Sequence, residues 1–175
     1  PRCVRRLVAV GFTLGALVLV VAGAGASAPA AQRCAPTLSD GAGPFGRGAP
    51  PRRASIGKGH VLTGVVLSVD CRPIPRAQVH LWQSNRRGEY TRAGSATVLT
   101  DRAGRFRFEG PRPVSYEGRP PHIHLRIVAR DHEVLLTRYV SLPGAKRGSV
   151  RAASRSCIRS TGACWPTRAA HHPIP

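Results

Sequence analysis

The chain between residues 61 and 140 is a series of short segments that are rich in β-branched residues or alternate between apolar and polar residues. Turn residues separate these segments, and none of them shows the 3.6-residue period of an amphipathic helix. Such a series predicts an all-β protein, either a sandwich or a barrel. The six predicted strands are Val61–Val69, Ala77–Gln83, Ala96–Thr100, Arg105–Phe108, His122–Ala129 and Glu133–Val140.

The alternation within these strands predicts which side chains face the core. In the second strand, Val79 and Leu81 share one face, while His80 and Trp82 share the other. In the fourth strand, two phenylalanines face the core together and the arginines beside them face outward. The stretch Asp101–Gly104 precedes that strand and predicts a hairpin turn in which the glycine takes a positive φ.

The formal net charge of +19 raises the question of nucleic-acid binding. Only Lys58 and Lys146 are lysines, and the arginines are scattered through every segment without forming a basic helix or a stripe with interleaved aromatics. We therefore predict no specific nucleic-acid partner. General attraction to acidic polymers or anionic surfaces follows from the charge alone.

The N-terminal 31 residues have the three regions of an export signal. Arginines precede an apolar run, Leu7–Ala22, and small residues follow it, with cleavage expected after Ala30 or Ala31. The apolar run is short for a membrane span, which needs about 20 residues, but an uncleaved anchor stays open as an alternative. We predict a periplasmic or extracellular protein with no stable membrane span after cleavage.

The rest of the chain divides into three parts by composition. Residues 32–58 are rich in Gly and Pro and predict an extended lead-in, and residues 59–142 form the β domain. Residues 143–175 are basic, contain no acidic residue and show no strand pattern. We interpret this tail as disordered or as the product of a shifted reading frame. The domain would then lack a strand after Val140 and leave a sheet edge exposed.

Four cysteines remain after removal of the signal, namely Cys34, Cys71, Cys157 and Cys164, and they allow three pairings. Export would place them where disulfides form. We favour the pair Cys34–Cys71, because the other two cysteines lie in the atypical tail.

The stretch from Tyr116 to His124 concentrates residues that bind metals. His122 and His124 would lie on one face of a strand, within reach of one ion, and Tyr116 and Arg119 precede them in a loop with Gly and Pro. A pair of surface histidines is the alternative. A cupin-type site is disfavoured, because residues 127–129 supply no carboxylate.

The ordered set of motifs over residues 34–140 resembles the intradiol ring-cleavage dioxygenases. The resemblance is greatest to their short, exported branch, which is similar to protocatechuate 3,4-dioxygenase and catechol dioxygenases. The matching motifs include Gly64-x-Val66, Leu81-Trp82-Gln83, Gly88-x-Tyr90, Thr100-Asp101-x-x-Gly104-x-Phe106-x-Phe108 and Tyr116-x-Gly118-Arg119-x-x-His122-x-His124.

The resemblance implies a prealbumin-like β-sandwich with a non-haem ferric ion held by Tyr90, Tyr116, His122 and His124. It also implies that a catechol and O2 react to give a cis,cis-muconate-type diacid. Tyr116 would be the ligand that the catechol displaces, and Arg119 would stabilise negative charge on the substrate. Phenolate oxygens are hard anionic ligands and suit Fe(III).

Three points stay open at this level. A non-catalytic exported prealbumin-like binding module, or an inactive member of the family, is the alternative function. Arg138 stands where the family commonly has a polar neutral residue, which could change substrate preference or impair activity. The sequence names neither the catechol nor the oligomeric state, and an oligomer is compatible with it.

Overall fold

The structure, a computed structural model, describes residues 33–40 and 49–157. Within these ranges the regular secondary structure consists of seven strands. They are β1 (His60–Ser68), β2 (Gln78–Ser84), β3 (Tyr90–Leu99), β4 (Arg105–Gly110), β5 (His122–Val128), β6 (Leu135–Val140) and β7 (Arg147–Ser154). The first six correspond to the six predicted strands, and the all-β prediction is confirmed.

The seven strands form two sheets. The three-stranded sheet has the order β4-β1-β7, in which β1 is antiparallel to β4 and parallel to β7. The four-stranded sheet has the order β3-β2-β5-β6 and is antiparallel throughout. The predicted export signal lies outside the described residues. Among the described residues there is no helix of the length and apolarity that a membrane crossing needs.

Side chains from both sheets meet in a single hydrophobic core. The three-stranded sheet contributes Leu62, Val66, Phe106 and Phe108, and the four-stranded sheet contributes Val79, Leu81, Ile123, Leu125 and Ile127. All are nearly inaccessible to solvent, and each such side chain stabilises the fold by about 1.5–3 kcal/mol relative to exposure. The predicted inward faces of the second and fourth strands are therefore confirmed, and the sheets pack face to face as a sandwich.

The turn predicted at Asp101–Gly104 is present, but the hairpin is wrong. Gly104 has a φ of 71° and donates its N–H to the carbonyl of Asp101. The flanking strands do not pair with each other, because β3 pairs with β2 and β4 pairs with β1. The turn instead carries the chain from one sheet to the other. Local turn chemistry does not reveal whether the strands on either side share a sheet.

The prediction that no strand follows Val140 is also wrong. Residues 147–154 form β7, which pairs with β1 in parallel over eight positions and buries Ala152 and Ala153. The arginines of this strand point outward, so small residues suffice on the inner side. Residues 158–175 lie outside the described part of the chain, and the shifted reading frame stays a hypothesis.

The lead-in runs along the domain and is fixed to it at several points. The predicted disulfide between Cys34 and Cys71 is present. Backbone N–H groups of Thr37 and Asp40 donate to carbonyls of β7 and β6, respectively. Arg53 donates its N–H to the carbonyl of Thr97 in β3. The lead-in therefore contacts both sheets.

Candidate metal centre

The two histidines of β5 lie on the outer face of the four-stranded sheet. Ile123 and Leu125 point into the core, so His122 and His124 point to the other side of the strand. Both imidazoles are nevertheless buried, with 3% and 5% of their surface exposed. They sit at the end of the sheet where β5 begins, next to the last residues of β2.

Two tyrosines reach these histidines from different elements. Tyr90 is the first residue of β3. Tyr116 lies in the loop before β5, in a tight turn closed by the N–H of Arg119 donating to the carbonyl of Tyr116 over 2.8 Å. Glu117 and Gly118, the central residues of this turn, have φ values of 47° and 71°. Glycine tolerates this conformation without strain, which explains the Gly-Arg order in the motif.

The four polar side-chain atoms converge on one point. The Tyr90 hydroxyl lies 3.2 Å from His122 Nε2 and 3.0 Å from His124 Nε2, and it contacts the Tyr116 hydroxyl. The two Nε2 atoms are 3.1 Å apart. Protein N and O ligands lie about 2.0–2.2 Å from a metal ion, so neighbouring ligands lie about 3 Å from each other. The spacing of this cluster therefore fits four donors around one ion.

A backbone contact sets the tautomer of His122. Its Nδ1–H donates to the carbonyl of Pro120 over 2.7 Å. A carbonyl oxygen can only accept, so Nδ1 carries the proton and Nε2 of the neutral ring presents a lone pair to the cluster. Hydrogen bonds of this kind orient histidines that bind metals. The Pro120 carbonyl thus orients the His122 ring with Nε2 towards the cluster.

His124 is held between the cluster and Trp82. The Trp82 ring stacks on the imidazole with centroids 5.3 Å apart and planes at 10°, in a directly opposed cross-strand pair. Burial, and then the electrostatic effect of the neighbouring His122, lowers the pKa of His124 to about 4. The imidazole is therefore neutral near pH 7, as a metal ligand must be.

Tyr90 resists ionisation unless a cation is present. Burial, and then the hydrogen bond with Tyr116, raises the pKa of Tyr90 well above its ordinary value. A phenolate at this position thus needs a strongly charged positive partner. No group of three or more His, Cys, Asp or Glu side chains in the described ranges is arranged to hold a metal. The convergent cluster differs from such groups because half of its donors are tyrosines, and this donor set suits a hard, highly charged ion.

Two arginines flank the cluster in different ways. The Arg119 guanidinium is exposed, and its Cζ lies 5.7 Å from the centre of the Tyr116 ring. Arg138 opposes His124 across the β5–β6 pair, and its Nε donates to the carboxylate of Asp40 over 2.7 Å. Asp40 of the lead-in thus supplies a negative charge that compensates for the positive charge of Arg138.

The structure brings together all four side chains that the sequence analysis assigned to the metal, and it places Arg119 beside them. It adds two residues that the sequence did not assign to the site. Trp82 lies on the opposite face of β2 from Leu81, as the alternation predicted, and there its ring stacks on His124. Asp40 carried no sequence signal, because its contact with Arg138 joins positions far apart in the chain.

Comparison with known proteins identifies the family to which the chain belongs. A family model described as "Dioxygenase" matches residues 48–147, which is more than half of the chain. The chain belongs to the intradiol ring-cleavage dioxygenase family. This confirms the family that its motifs indicated. The matched segment contains all four convergent side chains as well as Arg119.

Individual relatives are distant. Catechol 1,2-dioxygenase of Acinetobacter baylyi is 26% identical over 106 residues, an alignment that covers 45% of this chain and 34% of that enzyme. The chain thus spans about a third of the length of this curated relative. The dioxygenase domain of a dioxygenase–carbohydrate-binding fusion from Streptomyces sp. SirexAA-E is similar with a TM-score of 0.62 and 21% identity, over 70% of this chain and all of that domain.

A second solved structure of similar size is an intradiol ring-cleavage dioxygenase from Tetranychus urticae. It has a TM-score of 0.62 and 20% identity, and the match covers 73% of this chain and 98% of that one. Hydroxyquinol 1,2-dioxygenase from Pseudomonas putida DLL-E4 gives a TM-score of 0.59 and 17% identity, over 69% of this chain and 67% of that enzyme. At these identities the likeness establishes a shared fold.

Proposed function

We propose that this protein is an Fe(III)-dependent intradiol dioxygenase that opens the ring of a catechol with O2 to give a cis,cis-muconate-type diacid. The observation that carries the proposal is the convergence of the Tyr90 and Tyr116 hydroxyls with the Nε2 atoms of His122 and His124. When bound there, a ferric ion would supply the positive charge and Lewis acidity that hold phenolates and an ionised catechol in one site and make the catechol reactive towards O2.

Tyr116 is the residue of this set best placed to act as a base. Both tyrosines are partly buried, but Tyr116 lies in a loop, whereas Tyr90 is fixed at the start of a strand. A catechol bound at the cluster would lie within reach of the Tyr116 hydroxyl oxygen. As a phenolate, that oxygen can accept a proton from a catechol hydroxyl and move aside with its loop.

Arg119 would stabilise the negative charge that this proton transfer leaves on the substrate. Its guanidinium lies over the Tyr116 ring, on the exposed side of the site, where an ionised catechol would approach. A fixed cation there stabilises both an ionised Tyr116 and the substrate that takes its place. Trp82, stacked on His124, keeps water away from the opposite side of the imidazole.

The proposal is tested by ferric-ion binding to the purified full-length chain. We expect one ferric ion per chain and a burgundy colour from charge transfer between tyrosinate and iron. Tyr90→Phe removes one donor oxygen and keeps the ring, so it should weaken iron binding and shift or abolish the absorption band. Tyr139→Phe is the matched control, since Tyr139 packs between the sheets near His60 and belongs to no part of the cluster.

A colourless protein that binds no iron, with the wild-type fold intact, would contradict the proposal. If the protein binds iron as expected but leaves catechol unchanged in the presence of O2, it is an inactive member of the family. An equal loss of colour in the Tyr90 and Tyr139 variants would contradict the assignment of Tyr90 as a ligand.

We also propose that the protein works outside the reducing cytoplasm. The disulfide between Cys34 and Cys71 supports this, because such bonds persist mainly in oxidising compartments. Detection of the protein in a secreted or periplasmic fraction, with this disulfide formed, tests the proposal. Retention of both thiols in a cytoplasmic fraction would contradict it.

A further inference from the structure

The outer face of the three-stranded sheet carries a cluster of arginines that come from strands far apart in the sequence. Side chains along β1 alternate between the two faces of the sheet. Leu62 and Val66 point into the core, whereas Val61, Thr63 and Val65 point away from it. The neighbouring strands contribute the outward side chains on either side. We call this surface the arginine face. Its members are Val61, Thr63, Val65, Arg105, Arg107, Glu109, Arg147, Ser149 and Arg151.

The register of the sheet places these side chains in rows. Val65 lies between Arg105 of β4 and Arg151 of β7, and Val61 lies between Glu109 and Arg147. In the row between these two, Arg107 and Ser149 flank Thr63. Two columns of charge therefore run on either side of an uncharged central strand. Because neighbouring strands are about 4.8 Å apart, the columns are separated by about 10 Å.

These cations are available to an external partner. All four arginines are exposed. Only one ion pair is formed on the face, between Arg107 and Glu109 at 3.1 Å. Among the residues that the structure describes, the other three arginines have no carboxylate partner. Four arginines and one glutamate give the arginine face a net charge of +3.

We propose that the arginine face docks the protein on the headgroup layer of an anionic phospholipid membrane. The cations form a two-dimensional array on the outside of a sheet, around open depressions that Arg105, Arg107 and Arg151 help to line. A lipid surface is likewise a two-dimensional array of phosphates. Guanidinium groups bind phosphate oxygens in a bidentate manner. Basic residues near such a surface contribute to binding even where no apolar segment inserts.

The same features disfavour nucleic acid as the partner. Single-stranded nucleic acid is bound in grooves where aromatic side chains stack on the bases, and no outward position of these three strands is aromatic. Base recognition in a duplex needs an element that enters a groove, whereas the arginines of this face are spread over the side of a three-stranded sheet. A linear polyanion would also contact one column of arginines more readily than both.

Docking in this way has a consequence for the metal centre. His122 and His124 point outward from the four-stranded sheet, on the opposite side of the sandwich from the arginine face. A protein held on a membrane by the arginine face would direct the metal centre towards the solution. The site would stay accessible to soluble substrates.

Vesicle co-sedimentation tests the proposal on the full-length chain. Vesicles of phosphatidylcholine alone are compared with vesicles that also contain phosphatidylglycerol. The face variant replaces four arginines by glutamine: Arg105, Arg107, Arg147 and Arg151. The control variant makes the same replacement at four exposed arginines elsewhere: Arg72, Arg86, Arg87 and Arg130. Both variants keep the apolar N-terminal run and have the same net charge.

We expect the wild type and the control variant to bind the anionic vesicles and to detach as salt is added. The face variant should bind roughly a hundredfold more weakly, since each of the three uncompensated arginines contributes about fivefold. Thermal unfolding of both variants verifies that they are folded. Binding to phosphatidylcholine alone reports any contribution of the N-terminal run and is subtracted.

Equal losses in the face and control variants would overturn the proposal, since they would show that charge acts without regard to position. Binding of wild type to a DNA duplex with no binding to anionic vesicles would also overturn it in favour of a nucleic-acid partner. Unchanged binding of the face variant would place the membrane contact elsewhere on the chain.

Discussion

The role of β7 as a core strand can be tested with a single buried charge. Ala152 is fully buried in the hydrophobic core, opposite Val66 of β1, while the adjacent Arg151 points outward and is exposed. Ala152→Asp should therefore destabilise the protein severely, and Arg151→Asp should be nearly neutral. The two substitutions introduce the same side chain at neighbouring positions on opposite faces of the strand. Arg151→Asp also removes a guanidinium group, which is exposed and has a small effect on stability.

The magnitude follows from the cost of keeping the new carboxyl group neutral. An unperturbed aspartate has a pKa of about 3.9, and each pH unit corresponds to about 1.36 kcal/mol, so protonation at pH 7 costs about 4 kcal/mol. Burial of the neutral carboxyl without partners adds further cost. Because whole domains are stable by about 5–15 kcal/mol, the melting temperature should fall by roughly 10–20 °C. At pH 5 the protonation cost drops to about 1.5 kcal/mol.

Thermal unfolding followed by circular dichroism at pH 7 and pH 5 checks both the magnitude and its pH dependence. The folded variant binds a proton that the unfolded chain releases, so the deficit of Ala152→Asp relative to Arg151→Asp should grow as the pH rises. A difference between the two variants below about 1 kcal/mol at pH 7 would refute the reasoning. Residue 152 would then be solvated, and β7 would not complete the sheet.

Three further outcomes are expected. Replacement of Cys34 and Cys71 by serine should lower the free energy of unfolding by about 3–4 kcal/mol, because the 37-residue separation sets the entropy that the crosslink removes from the unfolded chain. A decrease below about 1 kcal/mol in chemical denaturation would contradict this. Burial, aided by the positive charge of Arg126, lowers the pKa of His80. Relative to His80→Gln, the free energy of unfolding of the wild type should therefore fall below about pH 6.5, by at most about 1.4 kcal/mol per pH unit. Parallel stability profiles of the two proteins against pH would contradict this. Arg119→Gln should lower kcat/KM for catechol roughly a hundredfold with unchanged iron content, and an unchanged kcat/KM would remove Arg119 from the reaction.

The sequence predicted those features that depend on local alternation. The inward faces of β2 and β4, with Val79, Leu81, Phe106 and Phe108, follow from the period of two along a strand. The pairing of His122 with His124 on one side of β5 has the same origin. The two tyrosines of the cluster were assigned to it by resemblance to a family, because nothing local places Tyr90 next to a loop 26 residues later.

Several features that depend on which strands meet escaped prediction. β7 pairs with a strand far away in the sequence, and its Arg, Ala and Ser residues give little apolar contrast. The crossing between β3 and β4 looks locally like a hairpin. The arginine face combines residues near 105 with residues near 150, which only the β4-β1-β7 order brings together. Single-strand patterns carry no information about these partners.

The most direct test of the proposed chemistry is the mass of the product formed from catechol under oxygen-18 gas by the iron-loaded chain. An intradiol cleavage breaks the bond between the two carbons that carry oxygen and adds both atoms of O2, so we expect a ring-opened diacid that contains two oxygen-18 atoms. Its formation should be lost in Tyr90→Phe and kept in Tyr139→Phe. Unlabelled catechol recovered intact, or an oxidised product without oxygen-18, would contradict the account.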